Sequence, residues 1–146
     1  MRCACRGGGA ARNVGIDEAT GTYLAFLDSD DQWDPKKLEL QMEHLVNNPH
    51  ALVLTGFRRH LENTIRRGFP GVIGEPDPLT ALLGSRGGPL TCSIMAVDAE
   101  VARERDLRFD ERFPASQDLD FALTAAIKGF DFIGINEPLV RKNRDP

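Results

Sequence analysis

Four aspartates lie within seven residues, directly after the apolar run 22–27: Asp28, Asp30, Asp31 and Asp34. In an extended segment, side chains two positions apart point to the same side, so Asp28 and Asp30 can both face one ligand. Two adjacent carboxylates repel each other unless a cation neutralises them. Hard oxygen ligands suit Mg²⁺ or Mn²⁺, which commonly bridge protein carboxylates to substrate phosphates. The spacing therefore predicts a divalent-metal site, with a plain acidic turn as the alternative.

A second carboxylate of interest, Asp118, lies far along the chain from this cluster. It is the second residue of a helix predicted over 117–128 and capped by Ser116. A carboxylate in the first turn of a helix is favoured by the helix dipole, by about 0.5 kcal/mol. A carboxylate within hydrogen-bond reach of a substrate hydroxyl is also a suitable general base. The residues alone leave both interpretations open.

Helix-like and strand-like segments alternate along the chain, which predicts one α/β domain. The predicted elements are helix 10–19, strand 22–27 buried on both faces, a helix from Pro35 capped by Asp34, strand 51–55, a short helix from Asp77–Pro78 to Gly84, strand 92–97, a helix capped by Asp98, helix 117–128 and strand 132–135. In the helix after Pro35, Leu38, Met42 and Leu45 form the apolar stripe expected to pack on the sheet. Residues 57–76 are predicted to be a connection with weak strand character.

Composition narrows the possible functions. The chain has 146 residues and a formal net charge of −4 at pH 7, so no basic field favours nucleic acid as a partner. The pairs Arg58–Arg59 and Arg66–Arg67 are interpreted as solvated surface. Its longest apolar runs are strand-sized, far short of the ~20 residues that span a bilayer, so no transmembrane segment is expected.

Cysteine usage indicates a reducing compartment. Cys3, Cys5 and Cys92 are an odd number and a poor disulfide framework. We therefore expect a cytoplasmic protein, with peripheral contact to the cytoplasmic face of the membrane as an open possibility.

The motifs between residues 8 and 140 resemble those of the inverting family-2 glycosyltransferases of GT-A fold. The matching segments are GAARNVGI at 9–16, ATG at 19–21, YLAFLDSDDQW at 23–33, PKKL at 35–38, FDE at 109–111, QDLD at 117–120 and EPL at 137–139. Their number and order make the resemblance far more specific than an isolated Asp-x-Asp. It implies a Rossmann-like mixed sheet flanked by helices, lacking the first β-α units of that fold.

The resemblance also implies a reaction. A sugar would move, with inversion, from a UDP- or GDP-type nucleotide-sugar to a glycan or lipid-linked acceptor, with Mg²⁺ or Mn²⁺ as cofactor. Asp28 and Asp30 match the metal-binding aspartates, and together with Ser29 and Arg12 they would bind the donor. Asp118 matches the general base.

We assign Trp33 and Gln117 to the acceptor side, where Trp33 would stack on a sugar ring or, as the alternative, simply anchor the turn. Gln117 stands where the family usually has glutamate. We expect the single domain 1–146 to divide into a metal and donor part at roughly 8–56 and an acceptor part at 57–146.

Two alternatives remain open from the sequence. Because the family's first β-α units are not found before Gly7, the chain is alternatively a catalytically incomplete fragment or a partner-dependent subunit. An open sheet edge would favour self-association or a completing partner chain. A sugar-phosphate nucleotidyltransferase is a weaker alternative, because its glycine-rich loop should follow a strand and no strand precedes Gly7.

Overall fold

The computed structural model describes residues 7–61, 64–72, 77–83 and 90–143. Their helices and strands are α1 (Gly8–Glu18), β1 (Tyr23–Ala25), β2 (Asp31–Trp33), α2 (Lys37–Asn47), β3 (Ala51–Leu61), β4 (Thr64–Gly68), α3 (Pro78–Leu83), β5 (Met95–Asp98), α4 (Ala99–Glu104), α5 (Gln117–Ile127) and β6 (Asp131–Lys142), with a 3₁₀ turn at Cys92–Ile94 before β5. The alternation of helices and strands confirms the predicted α/β class. Cys3 and Cys5, residues 73–76 of the predicted connection and the predicted helix end at Gly84 lie outside the described residues.

The six strands form one mixed sheet in the order β1-β5-β3-β6-β2, with β4 paired to β3. Strands β3 and β6 are parallel, and the other pairs are antiparallel. Because β5 is antiparallel to both β1 and β3, strands β1, β3 and β6 point the same way. Their carboxyl ends therefore meet at one edge of the sheet, where ligands of α/β proteins usually bind.

Strand β3 is the centre of the core because it is apolar on both faces, as expected of a strand covered on both sides. Leu52 and Leu54 face the larger cluster, which includes Phe121 of α5. Val53 faces the smaller cluster with Leu45 of α2. The sheet is thus packed between helices on both faces, and the loop that follows β1 emerges at the ligand-binding edge.

The predicted apolar stripe of helix α2 is confirmed at Met42 and Leu45, which pack in the smaller cluster, and is wrong at Leu38. Leu38 is 41% exposed, whereas Lys37 and Gln41 are fully buried beside the predicted Leu45. The polar pair is accommodated by hydrogen bonds: Lys37 Nζ donates to Gln41 Oε1 at 2.6 Å, and Gln41 Nε2 donates to two backbone carbonyl groups. Hydropathy could not predict the burial of Gln41, because the carbonyl groups of Val53 and Ile94 that accept its hydrogen bonds are remote in sequence.

Several element boundaries also differ from the prediction. Strand β1 has three residues and lies at the end of the strand order, and of these only Leu24 is buried, so the expected strand buried on both faces is wrong. The 57–76 region contains a hairpin of β3 and β4 instead of a weak connection. Strand β6 continues past Pro138 because the β3–β6 register shifts there, and an irregular position tolerates a residue without a backbone N–H.

Of the predicted helix caps, Asp98 is confirmed, since its side chain accepts from the backbone N–H groups of Glu100 and Val101. Ser116 has left-handed backbone and makes no capping hydrogen bond, so that cap was wrong. Asp34 forms a turn that precedes α2, and Lys36 occupies the cap position instead. In the described part of the chain, no helix is long and apolar enough to cross a membrane.

Candidate active site

An open cleft of about 450 Å³ lies at the ligand-binding edge of the sheet. Its walls come from three segments: the first turns of α1, the loop 27–30 after β1, and residues 115–118 at the start of α5. Six of the seven predicted site residues line it: Arg12, Asp28, Ser29, Asp30, Gln117 and Asp118. The structure therefore brings Asp118 together with the aspartate loop, residues 27–30, although 88 or more positions separate them in sequence.

Asp28 is held in place by three contacts. Arg12 Nη2 donates to its Oδ1 at 2.6 Å, and the Thr91 hydroxyl donates to its Oδ2 at 3.3 Å. Its backbone N–H donates to the Ser93 hydroxyl at 3.0 Å. Asp28 is half-buried, whereas Ser29 and Asp30 are exposed at the tip of the loop. The loop thus has a fixed base and an accessible tip.

Asp31, which the sequence analysis did not assign to the site, is the most buried of the loop aspartates. Its side chain has no exposed surface and forms an ion pair with Lys142 Nζ at 3.2 Å. The Ser93 hydroxyl donates to the same carboxylate oxygen at 2.6 Å. The other oxygen, Oδ1, is buried and has no hydrogen-bond partner among the residues that the structure describes.

The three aspartates are a suitable donor set for a divalent cation. Asp28, Asp30 and Asp31 each present a carboxylate oxygen, and these oxygens lie within 4.8 Å of one another. Two oxygens bound to one Mg²⁺ are separated by at most about 4.2 Å, twice the metal–oxygen distance of about 2.1 Å. Side-chain rotations that move these oxygens by a few tenths of an ångström would close that gap. The buried Asp31 Oδ1, which has no hydrogen-bond partner among the described residues, is available as a ligand atom. The residues therefore fit Mg²⁺ or Mn²⁺.

Arg12 connects the aspartate loop to the start of α5. Besides its bond to Asp28, its Nη1 donates to Gln117 Oε1 at 3.2 Å, and its guanidinium lies 5.4 Å from the centroid of the Phe109 ring. Although partial burial works against a charge here, the surrounding negative groups and the bond to Asp28 raise the pKa of Arg12. It is therefore a permanent cation between the aspartate loop and the start of α5.

Asp118 receives a hydrogen bond from a thiol that the sequence analysis left unassigned. The fully buried Cys92 donates to Asp118 Oδ1 at 2.5 Å. Burial, followed by the charge of Asp118 and this hydrogen bond, raises the pKa of the Cys92 thiol far above its ordinary value. Cys92 is therefore a neutral donor, and the second oxygen of the half-buried Asp118 makes no hydrogen bond to the described residues.

Two glycines allow Gln117 to lie against α1. A Cβ on Gly8 would come within 3.2 Å of Gln117 Oε1, and one on Gly9 within 2.9 Å of Gln117 Nε2. Gln117 Nε2 in turn donates to the backbone carbonyl of Phe113 at 2.8 Å. Both ends of the Gln117 amide are thus bonded within the protein. The glycine run serves close packing of the two helix starts.

Asn13 fixes the loop that leads into α5. Its side-chain amide accepts from the backbone N–H of Phe109 and donates to the carbonyl of the same residue, both at 2.9 Å. Phe109 then stacks on Phe121 at a centroid distance of 4.2 Å. The adjacent Arg12 and Asn13 therefore have separate roles: one contacts the aspartate loop and the other aligns the segment that carries Asp118.

Trp33 lies outside the residues that line the cleft and is held by structural contacts. Its indole N–H donates to the Ser93 carbonyl at 3.0 Å, and the Lys37 ammonium lies 4.3 Å from a ring centroid. These contacts account for its position without a ligand. Its predicted contact with the acceptor stays a prediction.

Comparison with known proteins identifies relatives that match most of the chain. The family model for glycosyl transferase family 2 matches residues 2–96. The chain is 36% identical to the amylovoran biosynthesis glycosyltransferase AmsB of Erwinia amylovora, over 90% of this chain and 45% of AmsB. It is 32% identical to the putative teichuronic acid biosynthesis glycosyltransferase TuaG of Bacillus subtilis, over 91% of this chain and 51% of TuaG. The chain thus spans about half the length of these relatives.

A solved structure confirms the expected fold. The crystal structure of residues 1–349 of S. aureus TarS in complex with UDP-GlcNAc superposes with a TM-score of 0.69 at 19% sequence identity, over 96% of this chain and 40% of TarS 1–349. The predicted partial GT-A arrangement, a mixed sheet flanked by helices, is therefore correct. These similarities do not favour the alternative of a catalytically incomplete fragment.

Proposed function

The chain belongs to glycosyl transferase family 2, and on that premise we propose that it transfers a sugar, with inversion, from a nucleotide-diphosphate-sugar to a hydroxyl of a glycan or lipid-linked acceptor. The observation that carries this proposal is that one cleft is lined by both the aspartate loop and Asp118. Inverting displacement needs the leaving group and the base on opposite sides of the sugar. The placement of the aspartate loop and Asp118 on different segments of one cleft supports such an arrangement.

The donor side of the proposal rests on the loop after β1. Asp30, with Asp28 close by, would hold Mg²⁺ or Mn²⁺, and the buried Asp31 lies within reach of the same ion. When bound, such an ion offsets the negative charge that develops on the departing nucleoside diphosphate. Arg12 and Ser29 line the same cleft and are assigned to the donor. The UDP-GlcNAc complex of TarS supports a UDP-type donor, and a GDP-type donor remains in the proposal.

Asp118 is assigned as the general base. Its Oδ1 is held by the Cys92 thiol, and its other oxygen makes no hydrogen bond to the described residues. A carboxylate fixed through one oxygen can accept the acceptor's hydroxyl proton at the other, provided that this hydroxyl comes within about 3 Å. Asp118 would thus activate an otherwise weak nucleophile.

The acceptor is proposed to contact residues 57–146, with Gln117 and Trp33 on its side of the site, and residues 8–56 are proposed to form the metal and donor part. The names of AmsB and TuaG refer to polysaccharide biosynthesis, which supports a glycan or lipid-linked acceptor. We also propose that a strand from a second copy or from another chain pairs with the outer edge of β1. The terminal place of β1 in the strand order supports this pairing. A cytoplasmic location with peripheral membrane contact also belongs to the proposal.

Release of UDP from UDP-GlcNAc, measured with Mn²⁺ and then with EDTA, tests the proposal. We expect UDP release only with Mn²⁺. We also expect Asp118→Asn to lower the rate of UDP release by about 10²–10⁴-fold, which is the usual contribution of a general base. Asp106→Asn is the matched control, because it removes the same charge at an exposed turn with left-handed backbone, which asparagine tolerates. Equal rates in EDTA, or equal rates for the two variants, would refute the assignment.

A further inference from the structure

The basic pairs that look like plain surface in the sequence become one continuous row in the sheet. Arg66 of β4 lies opposite Arg59 of β3, Arg59 is in register with Lys142 of β6, and Lys142 lies opposite Asp31 of β2. Residues in register across a sheet share one face. The row therefore runs from the acidic loop directly to two arginines on the same face.

The charges along this row are unevenly compensated. Lys142 pairs with Asp31 and also donates to the Thr91 hydroxyl at 2.8 Å. Within the described ranges, by contrast, no carboxylate pairs with Arg59 or Arg66, and Arg59 Nε is buried with no hydrogen-bond partner. Like charges directly opposite each other destabilise a sheet. The row thus holds an uncompensated positive charge that an anion would stabilise.

A second basic row lies on the opposite face and provides a comparison. Arg67, Arg58 and Arg141 are in register across β4, β3 and β6. Neighbouring positions of a strand face opposite sides, so this row points away from the face of Asp31. There, Arg58 has an acidic partner in Asp34 at 3.7 Å. The two rows have similar charge but different positions relative to the proposed site.

Resting on the proposed function, we propose that Arg59 and Arg66 bind a phosphate or diphosphate group of the acceptor. Strands lie about 4.8 Å apart, so the Arg59 backbone is roughly 10 Å from that of Asp31. Neither arginine lines the cleft assigned to the donor. A phosphate bound there would therefore be distinct from the donor diphosphate. Guanidinium groups suit this ligand because they bind phosphate oxygens in a bidentate manner.

The test measures calorimetric binding of inorganic pyrophosphate in EDTA, which requires no turnover. Its outcome is therefore independent of whether UDP release from UDP-GlcNAc is observed. The variant pair Arg59→Gln plus Arg66→Gln is compared with Arg67→Gln plus Arg141→Gln, which removes the same charge from the other face. We expect about tenfold weaker binding for the first pair, as for lost charge-assisted hydrogen bonds, and less than about twofold change for the second.

Two further measurements complete the test. Arg66→Gln alone, at an exposed position, should weaken pyrophosphate binding severalfold without changing the thermal unfolding midpoint, which separates ligand loss from misfolding. Phosphatidylglycerol vesicles distinguish a bound phosphate group from a general membrane surface. Equal losses of pyrophosphate binding in both double variants, or vesicle binding that depends equally on both rows, would overturn the proposal.

Discussion

The contact between Cys92 and Asp118 shows how a buried residue can influence the proposed chemistry without contacting a substrate. The thiol is neutral because burial and the neighbouring carboxylate raise its pKa. It therefore donates to Asp118 throughout the physiological pH range and restricts the rotation of that carboxylate. We regard Cys92 as a positioning residue for the base.

Replacement of Cys92 tests this positioning role. We expect Cys92→Ala to lower kcat for UDP release from UDP-GlcNAc by about tenfold, the scale of one hydrogen bond to a charged group, with little change in the KM for the donor. Cys92→Ser keeps a donor of similar size and should restore most of the rate. If the alanine and serine variants have the same kcat, the hydrogen bond has no role in catalysis.

The predictability of individual residues depended on the range of their contacts. Asp28 and Asp30 could be predicted because their spacing and the preceding apolar run are local in sequence. Cys92 and Ser93 could not, because they meet Asp118 and Asp28 across 26 and 65 positions. Asp31 was recognised as part of the acidic run, but its burial depends on Lys142 at the far end of the chain.

At the scale of elements, helix α2 carries a buried lysine beside Trp33. Lys37 has no exposed surface, and its ammonium contacts the Trp33 ring and Gln41. Burial lowers the pKa of Lys37 to about 7. Because the unfolded chain would hold this proton up to a pH near 10.5, unfolding takes up a proton above pH 7, and stability gains from Lys37 as pH rises.

This linkage predicts a measurable pH dependence. The free energy of unfolding of the wild type, relative to Lys37→Met, should increase by about 2 kcal/mol between pH 7 and 9, and change little below pH 6. Denaturant titrations at several pH values provide the measurement. Lys36→Met, at the exposed neighbouring position, is the control and should show no such trend. A constant difference between wild type and Lys37→Met would contradict a lowered pKa.

Elements were predictable where local patterns decide them and not where partners do. The predicted helices 10–19 and 117–128 correspond to α1 and α5, although the Ser116 cap predicted for the second makes no hydrogen bond. Strand β2 has three residues, DQW, with no strand pattern of its own, and exists because β6 pairs with it. Likewise, the arginine-rich end of β3 reads as a polar connection until its pairing with β4 and β6 is known.

For the molecule as a whole, the proposed activity depends on the distance between two segments that are remote in sequence. The loop after β1 is placed by the sheet, and the start of α5 is placed by Asn13, Arg12 and the close approach permitted at Gly9. The resemblance to family 2 could predict that these segments meet. Only the fold shows that Arg12 bonds to Asp28 and to Gln117 at once.

The most direct test of the account is the affinity of the chain for UDP with and without Mn²⁺, compared among wild type, Asp30→Asn and Asp118→Asn by calorimetry. If Asp30 holds the metal and Asp118 acts only on the acceptor, Mn²⁺ strengthens UDP binding in the wild type and in Asp118→Asn, but not in Asp30→Asn. Mn²⁺-independent UDP binding in the wild type, or the same loss in both variants, would contradict the division of the cleft into a metal side and a base side.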